Sequence, residues 1–434
     1  MFTIEYFQLI SDNFTLYIWI YIGVCIFYYL IFRKYCLSLF DPLLFHLFFS
    51  ASAAVVPVFL FAVNAIPVNL FLSYLATQIA FIIGFLLFKP IRINKIMNSN
   101  HTETIPDDGI KFTKWLFVNI AILNIIFQLV SFWLFEIPLF ATTSRLLVFG
   151  EAGGWGQIFN RTLNITFPSS IFLSIYFALN GKTNIKRFAK FNICLLFIFA
   201  ILRGARGAFI IFGTAFFICA IYSLRWNEHF LYNVIKKYIF KIILVGVIGV
   251  FGTTLWLSTI EQNPFSAFIF RIAQSGDVFY MAYPNYVIDR IPRPSNWFVN
   301  IFSGPLSLLG LIDRSLVPQP IGFFLVEYHT RGEIIGQGPN ARMNVFGYVF
   351  IGKYPAIIFC FILGMIFSFV RNKMFFILPK NIFGAILYFL LLSSASALEI
   401  DFFLALGSFV NIMVIFMPIA LVSYFFSVPN EKKS

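Results

Sequence analysis

Charge is what this sequence has least of. Only 11% of its 434 residues are Asp, Glu, Lys or Arg, against about a quarter in soluble domains. That shortage excludes an ordinary water-soluble chain, and no long polar stretch is left over to form a separate soluble domain. The five cysteines (Cys25, Cys36, Cys194, Cys219 and Cys360) fall in apolar runs or short connectors without metal-ligand spacing. They support neither a disulfide framework nor a zinc site. The Walker loop, the Rossmann glycines, HExxH and GxSxG are all missing, so the sequence asks for no nucleotide, metal or other cofactor. The first apolar run, 14–32, has no basic leader and no small-residue cleavage site, which argues against a secretion signal and for a first membrane span.

What is abundant is hydrocarbon. The chain is 60% hydrophobic, with 61 phenylalanines and a mean hydropathy of +0.87. Apolar runs near the ~20 residues that cross a bilayer recur throughout. We place them at 14–32, 43–63, 68–88, 115–136, 164–180, 189–202, 208–224, 239–258, 355–370, 382–398 and 402–426. The expectation is an all-α polytopic membrane protein with about eleven transmembrane helices, forming a single integral domain over 1–434. One large periplasmic loop, 259–354, is inserted between late spans. Its prolines predict irregular turns and short helices, and its aromatic residues predict a segment lying on the membrane surface.

The net charge of +13 is spread over short loops, which argues against nucleic acid as a partner. Sorting the cations by the positive-inside rule puts the N-terminus outside and the C-terminus inside. The cytoplasmic side then receives fifteen lysines and five arginines, and the outer side ten arginines and one lysine. Guanidinium is a rigid fork that grips phosphate or carboxylate oxygens in pairs, whereas lysine acts as a point charge beside anionic headgroups. The outer arginines therefore read as binding groups.

Four outer stretches carry candidate chemistry. RGARG, 203–207, sets Arg203 and Arg206 at a tight turn that opens a new helix; it suits a pyrophosphate, or else simply lets two arginines snorkel to headgroups. EYHTRGEIIGQGPNAR, 327–342, gathers Glu327, His329, Arg331, Glu333 and Arg342 into either a base with an anion clamp or a self-paired surface loop. GDVFYMAYPNYVIDRIPRP, 276–294, offers carboxylates among tyrosines, as a sugar site does, or else a set of interfacial anchors. Asp277, paired with Arg271, is its leading candidate. RLLVFGEAGGWGQIFNR, 145–161, is a shorter outer loop whose Arg145 is a further clamp candidate. The EID turn, 399–401, places two acids at an outer helix junction.

In layout the chain resembles the oligosaccharide repeat-unit polymerases of bacterial surface polysaccharides, the O-antigen polymerase (Wzy) family within the C-type membrane glycosyltransferases. The resemblance rests on the many spans, the central Gly/Arg turn RGARGAF and the large late loop with scattered arginines. Some members carry an arginine and a glycine with ten residues between them, RX10G, in two loops. Arg145 to Gly156 has that spacing, whereas Arg331 and Arg342 do not. The resemblance implies an inner-membrane enzyme that joins undecaprenyl-pyrophosphate-linked oligosaccharides, donor to acceptor, at the periplasmic face, with membrane lipids and a chain-length regulator protein as partners. It needs no cofactor, because the sugar–pyrophosphate bond carries the energy. The departing pyrophosphate falls to Arg203 and Arg206, with Arg145, Arg271, Arg331 and Arg342 helping, and the acceptor proton to His329, Glu327 or Asp277. A ligase acting on the same donor and a lipid-linked oligosaccharide flippase are the alternatives.

Overall fold

The computed structural model describes residues 1, 3–38, 41–93, 96, 107–135, 137–140, 153–203, 207–226, 230, 232–234, 237–238, 272–293, 296–308, 310–330 and 338–428. Among these residues there are helices and turns but no strand. In chain order the helices are α1 (Thr3–Asp12), α2 (Phe14–Phe32), α3 (Pro42–Ala62), α4 (Val68–Leu86), α5 (Asp107–Leu134), α6 (Gly153–Asn180), α7 (Thr183–Leu202) and α8 (Gly207–Ser223). Four short helices follow: α9 (Asp277–Ala282), α10 (Trp297–Leu308), α11 (Ile321–His329) and α12 (Met343–Phe350). The last four are α13 (Pro355–Ser368), α14 (Ile382–Ser396), α15 (Phe402–Asn411) and α16 (Met417–Ser427). A π-helical turn, Phe369–Met374, and a short α-helical turn, Phe375–Ile377, extend α13, and another π-helical turn, Ile412–Phe416, fuses α15 to α16.

Seven of the described helical stretches are long and apolar enough to cross a membrane, and the chain is a membrane-embedded helical protein on that ground. Two further apolar helices, over 210–226 and 382–396, are shorter. α7 carries Lys186, Arg187 and Lys190 in its first half. The segment expected as the eighth span, 239–258, lies outside the described residues.

Two expectations change. The Gly-rich stretch 145–161 is not a loop throughout: Gly153 onward is helix, and Gly156 is buried within it. Phe159 explains this, since its ring packs on Phe127 and Phe135 at 5.1 and 5.6 Å and rewards continuing the helix. In the late segment 272–354 short helices do form, but Phe279, Tyr280 and Tyr283 are core residues rather than surface anchors. Tyr280 stacks on Tyr6 of α1 at 4.3 Å, and Phe279 meets Tyr74 of α4 edge-on. Trp297, Tyr286 and Tyr328 stay exposed.

The described residues form two compact units, each woven from separate chain segments: 1–91, 265–373 and 392–407 in the first, 92–264, 374–391 and 408–434 in the second. In the first, α3 starts where Asp41 caps Leu43 N–H at 2.9 Å and Pro42 fills the first helical position. Asp41 also takes the fully buried guanidinium of Arg371, which donates to the Tyr35 carbonyl at 2.8 Å. In the second unit, Phe117 stacks on Phe177, and Asn192 of α7 donates to Ser170 and Ser174 of α6. Arg225 there donates to the carbonyls of Phe376 and Leu378, both at 3.0 Å.

α4 and α13 run parallel with their backbones almost touching. A Cβ on Gly84 would sit 2.1 Å from the Phe361 carbonyl oxygen, and one on Gly364 2.1 Å from that of Phe81. Small residues are how membrane helices approach this closely. Gly364→Ala is expected to push the helices apart at a cost of about 1–3 kcal/mol, read as a fall in the unfolding midpoint of detergent-purified protein. Gly23→Ala, with open space at the same atom, should not lower it.

Candidate functional site

The interior of the first unit holds a charged cluster. His46 and Ser50 lie four residues apart on α3 and so share one face. Both reach Glu399, which sits in the turn after α14: its Oε2 is 2.8 Å from His46 Nε2 and accepts from Ser50 Oγ at 2.6 Å. Arg342 Nη1 stands 3.6 Å from Glu399 Oε1. The rest of that guanidinium is committed to backbone, with Nε and Nη2 donating to the Ser275 carbonyl at 3.2 and 3.0 Å and Nη2 also to Phe49 at 3.5 Å. Arg342 and Glu399 are 5% and 3% exposed, so a carboxylate and a guanidinium cancel inside an apolar surround. A cavity of about 10 Å³ adjoins the cluster, lined by Tyr28, His46, Gln78 and Glu399 together with aliphatic and aromatic side chains. That is about the room one water needs.

On α3 the cluster spans the second and third turns, about 6–12 Å from the start of the helix. Asn344, near the start of α12, donates to Thr77 and Gln78, and at 1.5 Å per residue these are about 14 Å into α4. α12 therefore begins at mid-depth and packs back along α13, with Gly347 against Ala356. Its N-terminus is pinned: Arg342 N–H and Met343 N–H donate to the carbonyls of Ile400 and Glu399, both at 3.0 Å. Arg342 itself has φ +37°, a left-handed conformation that a non-glycine residue adopts at a cost of about 1–3 kcal/mol. The ion pair and the carbonyl bonds hold it there.

A second polar constellation lies at the end of the same unit where α3 ends and α4 begins, as the bond from Tyr286 Oη to Asn69 at 3.2 Å shows. Asp289 accepts from Arg293 at 2.8 Å and from Tyr348 Oη at 2.9 Å. Arg290 donates to Tyr328 Oη and lies over that ring. His329, the last residue of α11, bonds through Nε2 to the Met281 carbonyl at 2.9 Å. A carbonyl can only accept, so Nε2 carries the proton and, in the neutral ring, Nδ1 carries the lone pair. Burial holds this imidazole below its ordinary 6.5, against the opposing pull of the Met281 carbonyl. It is thus kept as a free base at neutral pH.

The sequence candidates fall unevenly on this geometry. His329 and Glu327 are on α11, where Glu327 accepts from Gln319 at 3.3 Å. Asp277 opens α9, half-buried, with Oδ1 accepting from Val278 N–H at 3.0 Å. It is two residues from the Ser275 carbonyl that holds Arg342. Arg342 belongs to the interior cluster and offers its fork to the protein. Arg203 caps the end of α7 in the second unit, 5.5 Å over the Phe167 ring. Arg145, Arg206, Arg271 and Arg331 lie outside the described residues.

The EID turn corrects an expectation. Glu399 is buried at mid-depth instead of lying at an outer junction, because α14 has 15 residues, about 22 Å of helix, and stops short of a ~30 Å crossing. Asp401 beside it caps Leu404 N–H at 3.0 Å. His46 and Ser50 escaped sequence reasoning. The signal that could have found them is a histidine and a serine at helical spacing inside an apolar run, where ionisable groups are rare and face partners.

Compared with known proteins, the chain matches no family model, no curated protein and no solved structure.

Proposed function

We propose that this protein is a nucleotide-independent membrane glycosyltransferase that polymerises undecaprenyl-pyrophosphate-linked repeat units of a surface polysaccharide, with its polar end in the periplasm. One observation carries the reading. The late segment that the sequence marks as functional folds into short helices that place a pinned imidazole near two arginines, a carboxylate and exposed tyrosines, at one end of a helical membrane unit. In the proposed reaction the acceptor sugar hydroxyl attacks the anomeric carbon of the donor glycan. The bond from that carbon to the pyrophosphate oxygen breaks, the hydroxyl proton passes to His329 Nδ1, and lipid pyrophosphate leaves. The leaving group's charge calls for guanidinium forks, the role that the sequence resemblance implies for Arg203 and Arg206. Ligation of the finished polymer to a second lipid would use the same donor and the same base.

A transporter is the second reading, favoured by the ionisable cluster at mid-depth. Its donors are nearly all satisfied by the protein itself, which suits a seat for α12 better than a substrate path.

Arg203→Lys with Arg206→Lys keeps both charges and removes both forks. Loss of long polymer is expected on a gel of extracted polysaccharide, with unchanged protein in the membrane. Undiminished chain length would contradict the role of the turn.

A further inference from the structure

The end of the second unit at which α5 and α7 begin and α16 ends carries two open clefts that share Lys114. One, about 360 Å³, is lined by Lys111, Lys114, Trp115, Val118 and Phe426. The other, about 510 Å³, adds Lys182 and the first turn of α7, Thr183 to Ile185. Among the described residues no carboxylate pairs with Lys111, Lys114 or Lys182. Lys186, Arg187 and Lys190 follow on the next turns of α7 and add to the positive charge of this end. The wall beside the lysines is apolar: the Trp115 and Phe426 rings lie 5.5 Å apart at the junction of α5 and α16.

Cations at the end of a membrane helix bundle, with a tryptophan and aliphatic side chains just deeper, match an amphiphile that is anionic at its head and apolar below it. A soluble phosphate would use the lysines and leave the wall idle. We propose that these joined clefts bind an anionic phospholipid, its phosphodiester among Lys111, Lys114 and Lys182 and its acyl chains along Trp115, Val118 and Phe426. A lysine ammonium serves as a point charge beside an anionic headgroup. The site is separate from both polar constellations of the first unit and does not depend on the proposed reaction.

The test is native mass spectrometry of the full chain in detergent, titrated with phosphatidylglycerol or phosphatidylcholine. Preferential retention of phosphatidylglycerol is expected. Each lysine beside an anionic group is worth about a fivefold factor in affinity. Lys111→Gln, Lys114→Gln and Lys182→Gln together should therefore weaken retention about a hundredfold, whereas arginine at the same three positions should preserve it. Equal retention of the two lipids, or of phosphatidylglycerol by the wild type and the triple glutamine variant, would overturn the site. Displacement of the lipid by an equal concentration of inorganic phosphate would assign the clefts to free phosphate instead. A second measurement leaves the lysines in place: brominated phosphatidylglycerol should quench wild-type tryptophan fluorescence more than that of Trp115→Phe, and equal quenching would refute the seat of the chains.

Discussion

His329→Ala is expected to lower polymer synthesis by about 10²- to 10⁴-fold, the range that a positioned general base contributes. The protein should still insert and purify, because the half-buried ring gives up one hydrogen bond, to the Met281 carbonyl. The pH dependence separates this role from a packing role. A base works only when unprotonated, and burial holds this imidazole below its ordinary 6.5. Wild-type kcat/KM should therefore be flat through neutrality and fall as pH drops through a value below 6.5, a limb that the variant's residual activity lacks. A variant with full activity, or one that keeps the same acid limb, would remove His329 from the chemistry and leave Glu327 or Asp277 as the group to test.

Glu399→Ala is expected to destabilise the first unit strongly. It removes the carboxylate shared by His46, Ser50 and Arg342 and leaves a guanidinium uncompensated in a buried site. Breaking a buried pair in this way costs about 3–5 kcal/mol. The strained backbone of Arg342 then loses the ion pair beside it while its amide bonds to the 399–400 turn remain. The check is the unfolding midpoint of detergent-purified protein, with a double-mutant cycle against Arg342→Met. Removing both charges should cost less than the sum of the single changes, by about 1 kcal/mol or more. Strict additivity would mean that the 3.6 Å approach of the two groups carries no energy.

The sequence announced the fold through hydrocarbon runs, and α2, α3 and α4 lie within about two residues of where those runs place them. It was least informative where a helix is not a simple crossing. α12 is eight residues long and α14 fifteen, and no period or length in the sequence separates such half-length elements from loop or full span. The cluster they create was hidden for the same reason. Arg342 and Glu399 looked like outer polar residues because each borders a glycine-rich or acidic turn, and it is the short helices that bring those turns to mid-depth. Arg225 and Arg371, sorted as cytoplasmic charges, are buried and bonded to backbone carbonyls, so charge sorting alone did not separate orientation signals from internal anchors. His329 was legible, as an outer histidine in a polar stretch. Its tautomer was not, because that depends on a carbonyl 48 residues away.

The proposed function requires that glycan leave a lipid pyrophosphate on this protein and join another lipid-linked unit. Purified full-length protein, reconstituted in vesicles with a defined undecaprenyl-pyrophosphate-linked repeat unit and no nucleotide, tests it most directly. A ladder of dimers, trimers and longer products is expected together with released undecaprenyl pyrophosphate, abolished by His329→Ala. Repeat units that stay monomeric but move from one leaflet to the other would contradict it and identify a transporter.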